Sequence, residues 1–72
     1  MQKLQLSFSF ATQPEATAWV DKTVIKLKGL GCTIVNSGTD EKPPGSNNGY
    51  VYFQLEEPKS VSLDDKGDVI WI

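Results

Sequence analysis

Lys3-Leu4-Gln5-Leu6-Ser7-Phe8-Ser9-Phe10-Ala11-Thr12-Gln13-Pro14-Glu15 decides the fold, because the hydrophobic period changes inside it. Up to Phe10, the apolar residues Leu4, Leu6, Phe8 and Phe10 alternate with Lys3, Gln5, Ser7 and Ser9. Period two with one apolar side predicts a half-buried strand. Its other side, Gln5, Ser7 and Ser9, is polar and left for water or a partner. Beyond Ala11, Thr12-Gln13-Pro14-Glu15 fits a capping box, in which Thr12 and Glu15 satisfy each other's exposed amides. Pro14 falls in the first turn, where no intrahelical amide is lost. Ala16, Val20, Thr23 and Leu27 then recur on one face, flanked by Trp19 and Val24. Gly29 is placed to take the left-handed cap, with Leu30 folding back onto the last turn. The pattern predicts a helix over 13–28.

Working outward, Cys32-Thr33-Ile34-Val35 is a short β-branched run and reads as a strand. Residues 36–49 are turn formers or polar throughout and predict a long flexible loop. Tyr50 to Glu56 alternates again: Val51, Phe53 and Leu55 point one way, and Tyr50, Tyr52 and Gln54 the other. Pro58 is expected to close that strand. Val61 and Leu63 alternate with serines, Asp64-Asp65-Lys66-Gly67 reads as a hairpin turn, and Val69-Ile70-Trp71-Ile72 as the last strand.

The expected fold is α+β, in the order β-α-β-β-β-β. A four- to five-stranded, mainly antiparallel sheet carries one α-helix packed on one face, in a single small domain, 1–72. The first β-α-β step can be parallel and right-handed. One helix covers one face of such a sheet, here the face holding Leu6, Phe8, Phe10, Val51, Phe53 and Leu55. The opposite face is left open. The side taken by Trp71 depends on strand register, and the sequence leaves it open.

The chain has 72 residues and a formal net charge of −2, with no histidine. All its basic residues are lysines. Arginine is the usual bidentate reader of bases and phosphates, so its absence argues against sequence-specific DNA binding. Residues 1–39 are net basic and residues 40–72 net acidic, an asymmetry that can orient a partner. No stretch approaches the roughly 20 apolar residues of a membrane span, and Met1-Gln2-Lys3 does not open a signal-peptide pattern. A lone Cys32 forms no internal disulfide. The expected location is cytoplasmic.

Catalysis finds little to work with. Without histidine there is neither a Ser/His nor a Cys/His pair, and Cys32 reads as a small core residue. The acidic pairs Asp40/Glu41, Glu56/Glu57 and Asp64/Asp65 are adjacent in sequence, so their carboxylates diverge on a strand. Asp64, Asp65 and Asp68 lack calcium-loop spacing, and Gly29-Leu30-Gly31 follows a helix instead of opening one. We expect no enzyme, no cofactor and no metal.

The candidate partner-binding residues are Tyr50, Tyr52 and Gln54 on the open face, then Trp19, Lys22 and Lys26 along one side of the helix, and Ile25 on its outer face. Gly49-Tyr50-Val51-Tyr52-Phe53 resembles the central-strand motif of RNA-recognition-motif domains, and the β-α-β-β opening is similar. That resemblance implies stacking of single-stranded bases on the tyrosines. Asn48 stands where a basic residue is expected, and the second helix is missing. The expected function is a non-catalytic module that binds a protein, or itself as a homodimer, through the open face or an edge strand. The alternatives are a single-stranded nucleic-acid binder using Tyr50/Tyr52 and a compact phage-type inhibitor of a host protein.

Overall fold

A computed structural model describes residues 2–57 and 60–71 of the chain. The expectations placed on Pro58 and Ile72 lie outside the described residues. Strand β1 spans Gln2–Phe10 and alternates as its sequence requires: Lys3, Gln5, Ser7 and Ser9 are exposed, and Leu6 is buried. Helix α1 spans Gln13–Gly29 and buries Ala16, Trp19, Val20, Thr23 and Leu27.

Both helix ends differ from the expected caps. Thr12 is the N-cap, with extended φ −132° and ψ 156°, but its side chain caps no amide. The hydroxyl instead donates to the Glu15 carboxylate at 2.8 Å. This charge-assisted bond joins the two side chains to each other, where a capping box would join each to the other's backbone amide. At the other end the left-handed residue is Gly31, with φ +93°, and not Gly29. The Gly31 amide donates to the Lys28 carbonyl at 3.1 Å and the Cys32 amide to the Leu27 carbonyl at 3.0 Å. This is a Schellman cap. It brings Cys32 back onto Leu27, and both are buried.

The segment expected to be a long loop is mostly strand. Strand β2 spans Thr33–Asp40 and strand β3 spans Asn47–Leu55, so only residues 41–46 connect them. Gly38, Thr39 and Asp40 pair with Tyr50, Gly49 and Asn48. The ladder along β3 gives these turn-forming residues a strand conformation their local preference does not favour. Asn48 reinforces the join, its amide group donating to the Asp40 carboxylate at 3.1 Å and the Lys42 carbonyl at 2.8 Å.

The three strands lie in the order β1-β3-β2, with β3 central. Both outer strands run antiparallel to β3. They are therefore parallel to each other but not neighbours, a split β-α-β arrangement. Strands β4 (Val61–Leu63) and β5 (Val69–Trp71) form a separate antiparallel pair. Val61, Leu63, Val69 and Trp71 pack against the core, and Ile70 is exposed. Trp71 thus lies on the core side with Val69.

The core gathers Leu6, Trp19, Val20, Leu27, Cys32, Val51, Phe53 and Leu55. Trp19 is the link between helix, sheet and hairpin. Its ring lies 6.3 Å from Phe8 and 6.0 Å from Phe10 between centroids, and its indole N–H donates to the Gly67 carbonyl at 2.6 Å. An exposed Lys22–Asp68 ion pair at 2.9 Å adds a second tie between helix and hairpin. A pair so exposed contributes at most about 1 kcal/mol.

Thr23 is only 1% exposed, and its hydroxyl has no hydrogen-bond partner among the described residues. Burying an unpaired hydroxyl costs about 1–3 kcal/mol. Thr23→Val removes that cost at nearly constant shape. It is expected to stabilise the protein by about 1 kcal/mol, or roughly 4–8 °C in melting temperature. A melt of the variant that is unchanged or lower sinks this account.

The hairpin turn is built on Asp64. Its carboxylate accepts the Lys66 and Asp68 amides, each at 2.9 Å, and Gly67 supplies φ +86°. The Asp68 amide, then the Lys66 amide, hold the Asp64 carboxyl below its ordinary value of 3.8. The folded state thus favours the ionised form. The resulting stability is complete above the unfolded value and is lost as pH falls through the folded one. Denaturation midpoints should drop below about pH 4, and Asp64→Ala should flatten that drop. An unchanged acid limb in the variant contradicts this assignment.

Candidate functional site

The face of the sheet turned away from α1 is built by alternation on three strands. Across it run four rows set by strand register: Lys3–Gln54–Thr33, Gln5–Tyr52–Asn36, Ser7–Tyr50–Gly38 and Ser9–Asn48–Asp40. The side chains are mostly amides and hydroxyls around two central tyrosines. Tyr50 and Tyr52 meet edge to face, with centroids 5.7 Å apart and planes at 68°, a favoured aromatic geometry. Tyr52 is 40% exposed. Tyr50 is more covered, because its ring lies over Gly38 of β2: a Cβ at position 38 would stand 2.9 Å from its hydroxyl oxygen.

Two hollows adjoin on this face. The larger, about 850 Å³, runs along Gln5, Ser7, Asn48 and Tyr50 towards Asp40 and Lys42. The smaller, about 420 Å³, lies between Lys3, Val35, Asn36 and Gln54. Tyr52 and Asn36 line both.

Val35 enters this face through a bulge. The β2–β3 register shifts between Ile34, opposite Phe53, and Asn36, opposite Tyr52. Val35 is the extra residue and is 57% exposed. Bulges re-aim side chains, and here one sets an apolar side chain beside Tyr52. The sequence reading placed Val35 in a strand but missed its exposure. Val35 continues the β-branched run of Thr33 and Ile34, and the polar Asn36 and Ser37 that follow carry no hydrophobic signal that would mark the switch.

The structure keeps the sequence candidates in two groups. Tyr50, Tyr52 and Gln54 share the open face. Trp19, Lys22, Lys26 and Ile25 lie on α1, on the other side of the sheet. Trp19 is 4% exposed and its N–H is already used, so it is a core residue, not a surface contact. Lys22 is held by Asp68. Lys26 borders a hollow of about 300 Å³ between α1 and the hairpin turn. Ile25 is 72% exposed on the outer helix surface, apart from the tyrosines.

The remaining reactive groups are occupied or scattered. Cys32 is buried, and burial pushes its thiol above the ordinary value, which lowers its reactivity. Among the described residues, no three His, Cys, Asp or Glu side chains come together to hold a metal ion. No described helix is long and apolar enough to cross a membrane. Comparison with protein-family models, curated proteins and solved structures finds no match to this chain.

Proposed function

We propose that the protein is a non-catalytic binding module that takes a partner protein on the open face of the β1-β3-β2 sheet. The observation that carries this reading is the edge-to-face Tyr50–Tyr52 pair at the centre of that face, with Tyr52 lining both adjoining hollows. Tyrosine offers a large contact area for little lost rotamer freedom, and such residues dominate binding energy where they stand centrally. The amides and hydroxyls of Gln5, Ser7, Asn36 and Asn48 supply a polar rim.

Electrostatics favours a protein over a nucleic-acid strand. Among the described residues, the cations lining the hollows of this face are Lys3 and Lys42, with Asp40 beside Lys42, and phosphate chains are held chiefly by clustered positive charge. Action in the cytoplasm as a compact inhibitor of another protein is a special case of this reading.

The test is a nuclease-treated pull-down from the native host's lysate, comparing wild type with Tyr52→Ala and with Tyr50→Ala/Tyr52→Ala. Circular dichroism first confirms that each folds. Tyr52→Ala is expected to weaken partner capture at least 30-fold, about 2 kcal/mol of a central anchor. Ile25→Ala is expected to change nothing. Capture indifferent to Tyr52 removes the open face from the reading. Capture that disappears only with nuclease transfers the tyrosines to single-stranded nucleic acid.

A further inference from the structure

The two outer strands of the sheet are not equally protected. A sheet edge presents unpaired backbone groups, and proteins usually blunt it with charges, prolines, bulges or a covering element. Strand β2 has its bulge at Val35 and ends at Asp40. Strand β1 pairs with β3 in one unbroken register from Gln2 to Phe10. Leu4–Phe10 contains no charge, proline or glycine, and no strand among the described residues lies on its outer side.

The apolar side of β1 is also unfinished. On central β3, Val51, Phe53 and Leu55 are buried, whereas Leu4, Phe8 and Phe10 of β1 are only partly covered. The half-exposed part of the core-facing surface therefore runs along the same edge, with which no strand among the described residues pairs.

We propose that this edge pairs with the β1 of a second copy, antiparallel about a twofold axis near Ser7, so that two three-stranded sheets become one of six strands. Strand β1 is self-complementary in that register. Leu4 meets Phe10 of the second copy and Leu6 meets its Phe8, all on the core side. Gln5 meets Ser9 and Ser7 meets Ser7 on the open side. A C2 interface needs this kind of like-with-like match. The one charged residue of β1, Lys3, does not oppose it. Antiparallel pairing sets the two lysines about 27 Å apart along the strands, beyond the roughly 8–10 Å screening length of physiological salt. A ladder of this length buries less than a standard interface of about 1,200–2,000 Å², so the dimer forms at high protein concentration and dissociates on dilution. Both tyrosine pairs remain on one continuous face, and dimer formation stands or falls independently of what that face binds.

Sedimentation equilibrium up to about 1 mM protein tests the pairing. Wild type should move from the single-chain mass of 7.9 kDa towards twice that value. Ser7→Lys, which places like charges opposite each other at the axis, should remain at the single-chain mass while keeping its circular dichroism. Tyr52→Ala should dimerise as wild type does. Oxidised Ser7→Cys should yield a cross-linked dimer, because opposed Cα atoms about 4.5–5.5 Å apart fall within disulfide reach. Ile25→Cys, on the exposed helix face, serves as the control, and Cys32 is buried. The pairing is overturned by a wild type that stays single at the top concentration, by a Ser7→Lys variant that dimerises equally well, or by Ser7→Cys cross-linking no better than Ile25→Cys.

Discussion

Gly49→Ala is expected to lower stability by about 3 kcal/mol, the upper end of overpacking costs, and the melting temperature by roughly 12–24 °C for a chain of this size. Central strand β3 passes so close under α1 that an added Cβ would stand 2.6 Å from Trp19 Cε3 and 2.8 Å from Val20 Cγ2. Neither neighbour is free to move. Trp19 is held by Phe8, Phe10 and its bond to Gly67, and Val20 is buried in the helix interior face. With a total stability of about 4–11 kcal/mol expected for 72 residues, one methyl group removes a large share. Gly38→Ala is the internal control. Its nearest obstacle is the Tyr50 hydroxyl at 2.9 Å, the far end of a side chain that can swing away, so the expected loss is under about 1 kcal/mol. Thermal melts of both variants decide the matter. Equal shifts contradict the close approach of α1 to Gly49.

Trp19→Ala should cost about 3–5 kcal/mol through lost burial and the cavity left behind, which brings the protein to the limit of folding at 25 °C. Trp19→Phe separates packing from hydrogen bonding. It retains an aromatic ring near Phe8 and Phe10 but strands the Gly67 carbonyl, at a cost of about 1–3 kcal/mol. Because that carbonyl belongs to the hairpin turn, the loss should register there first. Urea titration followed by Trp71 emission should give an earlier transition for Trp19→Phe than titration followed by circular dichroism of the helix and sheet. Coincident, wild-type-like midpoints contradict the role given to this bond.

What was legible in the sequence follows from how strongly each pattern repeats. The alternations of Leu4 to Phe10 and of Val51 to Leu55 correctly assign side chains to the two sheet faces. The stripe Ala16, Val20, Thr23 and Leu27 is the buried stripe of α1. Asp64 to Gly67 is a turn between two short strands. The misreadings share a cause: a long-range contact supplied the deciding energy. Asn36 to Asp40 forms a strand because β3 offers a ladder, not because its residues prefer one. Gly31 took the cap from Gly29 because the cap must also return Cys32 to Leu27. Trp19 lies inside because the hairpin closes over the helix flank that the helical pattern alone leaves open. The tyrosine pair was readable from Tyr50 and Tyr52 themselves, whereas Val35 joined them through a bulge that leaves no mark in composition.

Along β3, cohesion and exposure alternate one residue at a time. Positions 49, 51, 53 and 55 are buried, while 48, 50, 52 and 54 face away from the helix. A lineage carrying this fold therefore has two substitution rates written into one strand. Changes at the outward positions alter what the surface offers and leave the interior intact, so recognition can diverge rapidly over a nearly frozen scaffold. Position 50 is the partial exception, because its ring rests on Gly38, and drift there is tied to drift on the neighbouring strand.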